Sequence, residues 1–503
     1  MAAWNLFRTK SVDELRANAE DADHGLRRVL GAKDLVLLGV GAIIGAGIFS
    51  TLGTAAAGEA GVRAGAGPAL VISFVLLGFV CALAGLCYAE LTSMIPVAGS
   101  AYTYAFATMG ELVAWIIGWD LILEYAVGNV AVAIAWSGYF ESILRSVGLH
   151  LPYWLVHGHG DVMQQLGKAT AEANTVRIAE LQAAIGDAPH LFGRAVLLNL
   201  PAVAIVLFIT WILVRGVRES ARVNNWMVLV KLLVLALFLV VGAFHVDPAN
   251  WKPFAPNGWK GIHQGAAIVF FAYIGFDAIS TAAEETKNPK RDMPIGILGA
   301  LALCTVVYVL VGLVATGLVP YQELASGSDP LARALEGAGL PWIQLVLSIG
   351  AVVSMSAVLL VFQLGQPRIF FAMARDGLLP KGFAKVHPRY RTPHVTTIVT
   401  GLAVAAGAAF MDDDATYDLT NIGTLFAFLI VCLGVMILRV RRPDLARPFR
   451  VPFVWLVAPL GAAACVYTMQ GLPPMAWYRF GVWLAIGILV YFLGAIRRAR
   501  PAS

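Results

Sequence analysis

The feature that most constrains the fold is a glycine-rich stretch, Gly39 to Phe49, inside an apolar run long enough to span a membrane. Its glycine spacing predicts a helix whose backbone is poorly helical in the middle. In the hydrocarbon core an unpaired peptide group costs several kcal/mol, so an interrupted backbone persists there only where it lines a cavity or holds a ligand. We therefore interpret this stretch as a binding site.

Such a break would recognise an anion. The free amides at the start of the second half-helix lie at the positive end of its dipole, and glycine lets a ligand approach closely. The carboxylate of an amino acid fits this description. The residues assigned to the site are Ile43, Ile44, Gly45, Ala46 and Gly47. A second interpretation stays open at this point, namely that Gly41 and Gly45 only allow two helices to pack closely.

The composition indicates a membrane protein with many spans. Hydrophobic residues make up 59% of the chain and charged residues 13%, whereas soluble domains carry about 25% charged residues. At about 20 apolar residues per crossing, the pattern predicts an all-α membrane protein with twelve transmembrane helices. The predicted spans are about 35–57, 69–94, 111–140, 193–214, 226–244, 264–284, 295–318, 340–366, 394–411, 416–438, 452–471 and 477–496.

The distribution of Lys and Arg predicts the orientation. If the N-terminus is cytoplasmic, about 26 of the 36 basic residues lie on inner segments and about nine on outer ones, as the positive-inside rule requires. We therefore expect the segments 1–34 and 497–503 in the cytoplasm, and the long loop at about 141–192 outside. The net charge of +5 is then a topology signal that needs no nucleic acid partner.

A second interrupted span lies between Phe270 and Ser280, where aromatic residues lead into a glycine and a carboxylate. Interruptions at matching places in two halves of a chain indicate a transporter site. The helix order predicts a core of two inverted five-helix repeats, 35–244 and 264–438, with helices 1 and 6 broken. Two further helices follow at 452–496. The repeat rests on position and helix count, because the halves show no residue-level identity.

Three charged residues within predicted spans are candidates for proton coupling. A charged residue at membrane depth indicates a functional site, and a desolvated lysine amine such as that of Lys231 can exchange a proton. The alternative is that Lys231 extends its amine to the cytoplasmic interface. Glu124 shares a helix face with Asp120, and two such carboxylates are not both ionised in a dry site. Asp277 is interpreted first as the cap of the second half of helix 6.

Other chemistry has little support in the sequence. We find no nucleophile with a neighbouring base, no phosphate-binding glycine loop and no metal-ligand cluster, so we expect no enzyme activity, cofactor or metal. His157 and His159 are too few to indicate a metal site, and we interpret them as part of a solvated loop. The five cysteines all lie in apolar runs and are expected to be buried free thiols.

Several of these stretches resemble the amino acid–polyamine–organocation superfamily of permeases, most closely its bacterial cationic amino acid transporter branch. Together they cover most of the predicted helices 1 to 8. The matching segments are Gly41–Phe49, Tyr88–Leu91, Pro96–Tyr104, Phe270–Asp277, Glu284–Pro289, Asp292–Ile297 and Met373–Gly377.

The resemblance implies alternating access, with the substrate held by the broken parts of helices 1 and 6. It implies that the helix 5 lysine, Lys231 here, takes the place of sodium in sodium-coupled members. Relatives often have Thr at the position of Ala46, so a hydroxyl contact is missing here. Pocket-lining positions of the family correspond to Phe270, Ala272 and Ile274, and acidic positions linked to coupling or substrate handling correspond to Glu124 and Asp277.

From these observations we expect a proton-coupled amino acid permease of the cytoplasmic membrane, with an amino acid, protons and the lipid bilayer as partners. A bundle containing helices 1 and 6 would rock against a scaffold containing helices 3 and 8. Neutral L-amino acids are slightly favoured over cationic ones, because the pocket positions are mostly apolar. The alternatives are an exchanger of amino acids or polyamines and, in another class, an amino acid sensor that does not transport.

Overall fold

The computed structural model describes residues 6–11, 30–95, 100–171, 174–216, 221–283, 286–325, 327–390 and 392–495. Eight helices in these ranges are long and apolar enough to cross a membrane, and a ninth span results if one bent pair of helices is counted. Three shorter apolar helices accompany them, at Leu200–Arg215, His394–Phe410 and Val454–Gln470. This is a helical, multi-pass membrane architecture. The predicted count of twelve spans and the two five-helix repeats stay predictions.

The first half of the chain contains eleven α-helices among its described residues and two small antiparallel hairpins, β1–β2 and β3–β4. The strands are β1 Gly58–Glu59, β2 Arg63–Ala64, β3 His190–Leu191 and β4 Arg194–Ala195. The helices are α1 Ala32–Ile43, α2 Leu52–Ala57, α3 Leu70–Met94, α4 Ser100–Thr108, α5 Glu111–Ile122, α6 Gly128–Ser146, α7 Tyr153–Val156, α8 His159–Ala171, α9 Thr175–Gly186, α10 Leu200–Arg215 and α11 Ala221–Ala243.

The second half is helical throughout its described residues. Its α-helices are α12 Gly258–Val269, α13 Ala278–Thr281, α14 Pro289–Leu318, α15 Pro330–Gly337, α16 Pro341–Arg375, α17 His394–Phe410, α18 Asp413–Arg441, α19 Val454–Gln470 and α20 Pro474–Val490. Single turns of other helix types complete both halves, with π-helix at Gly47–Thr51, Leu123–Val127 and Tyr491–Ala495 and 3-10 helix at Gly67–Ala69, Pro248–Trp251, Phe270–Tyr273, Tyr321–Ala325 and Lys381–Ala384.

The predicted span limits differ from the helices in a consistent way. Helix α16 continues to Arg375, beyond the predicted end at 366, and α14 begins at Pro289 ahead of the predicted 295. Hydropathy detects only the apolar part of a helix, whereas the helix itself continues into the polar interface. The span predicted from 193 begins only at Leu200, because the residues before it form the β3–β4 hairpin.

The bundle contains two groups of packed helices. In the first group, α14 packs on both α1 and α3, and α12 packs on α3. In the second group, α16 packs on α6, and α10 packs on α17. Helix α11 contacts members of both groups, as does α18. The two interrupted segments of the sequence therefore lie in one group, and the helices numbered 3 and 8 in the sequence prediction lie in the other.

The long loop folds against the bundle. Its described residues include α7, α8 and α9. The ring of His157 hydrogen-bonds to the Asp161 carboxylate over 2.6 Å, and Lys168 contacts Asp414 at the start of α18 over 2.8 Å. The interpretation of this loop as merely solvated is therefore wrong, since ion pairs dock it on the helices.

Residues 6–11 lie at the opposite end of the bundle. The Leu112 amide donates to the Leu6 carbonyl over 2.9 Å, and Arg8 pairs with Glu111 over 3.2 Å. Lys10 pairs with Asp376, just after α16. Most of the predicted segment 1–34 and all of 497–503 lie outside the described residues. The amino-terminal end of the chain is thus tied to helices of the second group.

Candidate functional site

The first interrupted helix breaks where its sequence predicts. Helix α1 ends at Ile43, Ile44 is extended with φ −74° and ψ 103°, and the chain resumes as a π-helical turn at Gly47. The two halves are bent by 40°. The amides of Gly45 and Ala46 donate no hydrogen bond to any other described residue. They are the free, buried donors that the carboxylate hypothesis needs.

The glycines of this break also serve close packing. A methyl group on Gly45 would lie 2.6 Å from Cγ2 of Val358 in α16, and one on Gly47 would lie 2.2 Å from the Cα atom of Ala272. The two interpretations of the glycine stretch are therefore compatible. Gly45 and Gly47 bring the first break against α16 and against the second break.

The second break lies directly beside the first. Helix α12 continues as the 3-10 turn Phe270–Tyr273, and Ile274 is then extended. Gly275 follows with φ +114°, a left-handed conformation that favours glycine. A methyl group there would lie 2.9 Å from the carbonyl oxygen of Ala42. The carbonyls of Ala267 and Ile268 accept hydrogen bonds from the Asn421 side chain of α18, at 2.9 and 3.0 Å.

One tyrosine joins the two breaks. The Tyr308 hydroxyl of α14 lies 3.1 Å from the carbonyl oxygen of Ile43 and 2.8 Å from that of Ala272. Ser354 of α16 donates to the carbonyl of Ile44 over 3.1 Å. The sequence analysis did not find these residues. Nothing in the sequence singles them out, because Thr305 and Ser356 are hydroxyl residues of the same apolar runs.

Lys231 is fully buried and reaches the first break. Its Nζ atom donates to the carbonyl oxygens of Gly41 and Ile44, each over 2.7 Å. Its exposed fraction is 0%, so the alternative that the amine extends to the interface is wrong. The ammonium group lies at the carboxyl end of α1, the negative end of the helix dipole. It contacts no carboxylate among the described residues.

Glu124 and Asp277 lie on facing helices and interact electrostatically. Glu124 occupies the π-helical turn Leu123–Val127, and both of its carboxylate oxygens lack a hydrogen-bond partner among the described residues. Tyr125 donates to Oδ2 of Asp277 over 3.0 Å, while Oδ1 has no such partner. Unpaired buried carboxylate oxygens are costly unless a proton, water or ligand completes them.

The predicted capping role of Asp277 is only half correct. Asp277 does occupy the N-cap position of α13, but its side chain accepts no capping hydrogen bond. Its described partner is Tyr125 instead. Asp120 lies one turn before Glu124, and both of its oxygens are also unpartnered. We refer to Lys231, Glu124, Asp277 and Asp120 as the central charges.

The remaining predicted pocket residues are buried between these helices. Phe270 meets the ring of Phe428 edge-on at 5.7 Å, and its neighbour Phe271 meets Tyr417 at 4.7 Å. Ala272 contacts Gly47, as described above, and Ile274 is only 2% exposed. The structure therefore brings Ala272 against the first break, while Phe270 faces α18.

A second set of buried charges lies above the site, at the end of the bundle opposite residues 6–11. Arg63 of the β1–β2 hairpin forms a two-point pair with Asp418, at 2.9 and 2.6 Å, and contacts Glu59 at 3.3 Å. Lys168 contacts both Asp414 and Glu59. We refer to these five residues as the hairpin network: Glu59, Arg63, Lys168, Asp414 and Asp418.

The network holds its basic partners in the charged state. Burial lowers the pKa of Lys168, but the carboxylates of Asp414 and Glu59 outweigh this effect and raise the pKa overall. Burial also raises the pKa of Glu59, and Asp414 adds to that shift. Because it joins the end of the first broken helix to α8 and α18, this network closes the site from that side.

Comparison with known proteins agrees with this architecture. Residues 30–491 match the family model described as amino acid permease. The chain is 45% identical over 489 residues to the methylthioribose transporter of Bacillus subtilis (strain 168). It is 44% identical over 489 residues to the branched-chain amino acid permease BcaP of the same organism. Each of these two alignments covers 97% of this chain and 97% of the relative. It is 37% identical over 446 residues to the vacuolar cationic amino acid transporter 4 of Arabidopsis thaliana, covering 88% of this chain and 68% of the relative.

Proposed function

The chain belongs to the amino acid permease family, and from this premise we propose that it transports L-amino acids across the cytoplasmic membrane by alternating access, coupled to protons. The observation that carries the proposal is the Lys231 ammonium on the carbonyls of Gly41 and Ile44, at the break of the first helix. A cation at this position stabilises the end of α1, and loss of its proton would weaken both charge-assisted hydrogen bonds. Proton release from one buried amine would thus be coupled to the shape of the substrate site.

The substrate would bind at the paired breaks. Its carboxylate would accept hydrogen bonds from the free amides of Gly45 and Ala46, and its ammonium group would face carbonyls of the second break. Substrate handling and proton transfer would involve Glu124 and Asp277. The side-chain pocket would be formed by Ile43, Ile44, Phe270, Ala272 and Ile274.

The topology belongs to the same proposal. If the bent pair and the three shorter apolar helices of the described residues also span the membrane, they and the eight long helices amount to twelve spans. We assign them to two inverted five-helix repeats and two added helices, with both termini in the cytoplasm. The separation of the bundle into two packed groups supports motion of the group with the broken helices against the other.

A neutral, apolar amino acid is the substrate class that we favour. The pocket positions are apolar, and BcaP, whose name refers to branched-chain amino acids, is similar over almost the whole chain. The similarity to a methylthioribose transporter is equally extensive and supports that thioether sugar as a second candidate. Methylthioribose carries neither a carboxylate nor an ammonium group, so the two candidates make different demands on the helix breaks.

The test is uptake into liposomes that contain only the purified chain, with leucine, alanine, lysine, arginine and methylthioribose offered separately. We expect accumulation of leucine driven by an inward proton gradient. Uptake that requires amino acid inside the liposomes would instead identify an exchanger, and binding without uptake would identify a sensor. Accumulation of methylthioribose alone would overturn the amino acid assignment.

A further inference from the structure

A cavity of about 500 Å³ lies away from the candidate site, where the carboxyl ends of α10 and α16 meet the segment that leads into α17. It is at the same end of the bundle as residues 6–11, because α16 continues to Asp376, which pairs with Lys10. We refer to it as the arginine cavity. Its polar lining side chains are Arg215, Gln363, Arg368, Arg389, Tyr390, Thr392 and Thr397.

Among the described residues, the lining of the cavity contains three arginines and no acidic side chain. Arg215, Arg368 and Arg389 are exposed, and none of them pairs with a carboxylate of the described residues. The guanidinium of Arg215 instead stacks on Trp211 at 4.0 Å from the ring centroid, and that of Arg389 lies 5.5 Å from the ring centroid of Tyr390. Three like charges around one cavity repel one another, and a bound anion with several oxygens would remove this repulsion.

Three other polar side chains of the lining are already occupied. Thr392 donates to the carbonyl of Val214 over 2.9 Å, and Thr397 donates to that of Pro393 over 3.0 Å. The amide of Gln363 is held by Asn129 and Thr210. The groups left to bind a ligand are the hydroxyl of Tyr390 and the three guanidinium groups, and the guanidinium groups favour phosphate over a sugar or an uncharged amino acid.

The surroundings favour a lipid as the source of that phosphate. Phe208 and Trp211 of α10 and Val399 and Leu402 of α17 are exposed large apolar residues on the two helices that border the cavity. Exposed apolar side chains on spanning helices contact lipid chains, and tryptophan prefers the head-group level. An acyl chain lying on these residues would place its head group at the arginines. Basic pockets between spanning helices are known sites for anionic head groups.

We propose that the arginine cavity binds the phosphate of an anionic phospholipid head group. The proposal concerns a site separate from the helix breaks, so it does not depend on which substrate is transported. It is tested by native mass spectrometry of the full chain in detergent, titrated separately with phosphatidylglycerol, phosphatidylcholine and inorganic phosphate. We expect phosphatidylglycerol to remain bound in preference to the other two.

The decisive variant is Arg215→Gln/Arg368→Gln/Arg389→Gln. A basic residue near a lipid surface contributes about a fivefold change in affinity, so we expect the triple change to weaken phosphatidylglycerol binding on the order of 100-fold. The control is Lys287→Gln/Lys290→Gln/Arg291→Gln, which removes three exposed basic residues elsewhere on the chain and should leave binding unchanged. Single Arg→Gln variants, each expected to weaken binding about fivefold, keep the test valid if the triple variant misfolds.

Each result has one meaning. Loss of binding in the cavity variants but not in the control supports the proposal. Equal binding of phosphatidylglycerol and phosphatidylcholine, or undiminished binding by the cavity variants, overturns it. If inorganic phosphate binds at the arginines as tightly as phosphatidylglycerol does, the cavity is a site for soluble phosphate and the lipid assignment is overturned.

Discussion

Two sets of buried charges lie in one helical bundle, and their partners differ. In the hairpin network each basic side chain meets carboxylates, and Arg63 binds Asp418 through two nitrogens. Among the central charges, Lys231 donates to backbone carbonyls and contacts no described carboxylate, and neither oxygen of Glu124 has a hydrogen-bond partner among the described residues. A fully paired set holds one arrangement of helices, whereas carboxylate oxygens without a hydrogen-bond partner can gain a proton or a ligand without breaking existing bonds.

The difference in partners indicates that the two sets of charges have different roles. The hairpin network joins elements distant in the chain at one end of the bundle, where closure is required. Among the central charges, Lys231 lies at the first helix break and Asp277 at the second, while Asp120 and Glu124 lie in α5 and the π-helical turn that follows it. The following substitutions test whether the paired set is structural and the central set functional.

The largest effect is expected for Lys231→Met. The apolar side chain fits the buried position but leaves the carbonyls of Gly41 and Ile44 without their donor, and it holds no proton. We expect gradient-driven uptake to fall on the order of 100-fold. The control, Lys290→Met, removes an exposed lysine that belongs to neither set of charges and should keep uptake within about twofold. Full proton-driven uptake by Lys231→Met would end the coupling hypothesis.

The next largest effect is expected for Arg63→Gln. Removing one partner of a buried ion pair leaves the Asp418 carboxylate uncompensated, so the free energy of unfolding should fall by about 3–5 kcal/mol. Chemical unfolding in mixed micelles would measure this change. The double variant Arg63→Gln/Asp418→Asn removes both charges and should recover much of the loss. A single variant as stable as the unaltered protein would show that the pair is not structural.

For Glu124→Gln we expect the opposite pattern, a small change in stability and a larger loss of uptake. Neither carboxylate oxygen has a hydrogen-bond partner among the described residues, so the free energy of unfolding should change by about 1 kcal/mol or less. Uptake should fall on the order of tenfold, because an amide cannot exchange a proton. The free energy of unfolding and the rate of uptake are measured on one protein preparation. A loss of several kcal/mol with normal uptake would place Glu124 with the structural charges.

The smallest effect is expected for Arg177→Gln. Arg177 pairs with Glu180 in α9, but these side chains are 41% and 59% exposed. Exposed pairs contribute about 0–1 kcal/mol, so stability and uptake should both stay within experimental error. A clear loss of uptake would show that the long loop contributes more to transport than its docking through Lys168 suggests.

Much of the site was predictable because it depends on local chemistry. A glycine stretch inside an apolar run predicts a break near Gly45, and the break occurs there. A lysine inside a span indicates a functional position, and Lys231 is indeed buried at that break. Tyr308 and Ser354 escaped notice, since single hydroxyl groups are common in helices and only the fold places them on the carbonyls of Ile43 and Ile44.

The sequence alone determined the membrane-spanning character of the chain, the two interrupted segments and the identity of the charged residues within spans. These follow from hydropathy and glycine spacing, which act over one or two helical turns. Only the tertiary structure decided which groups meet. Lys231 reaches carbonyls 190 and 187 positions away, and Arg63 reaches a carboxylate 355 positions away. The periodicity of one helix fixes which face is apolar, but helix packing alone selects the partner across that face.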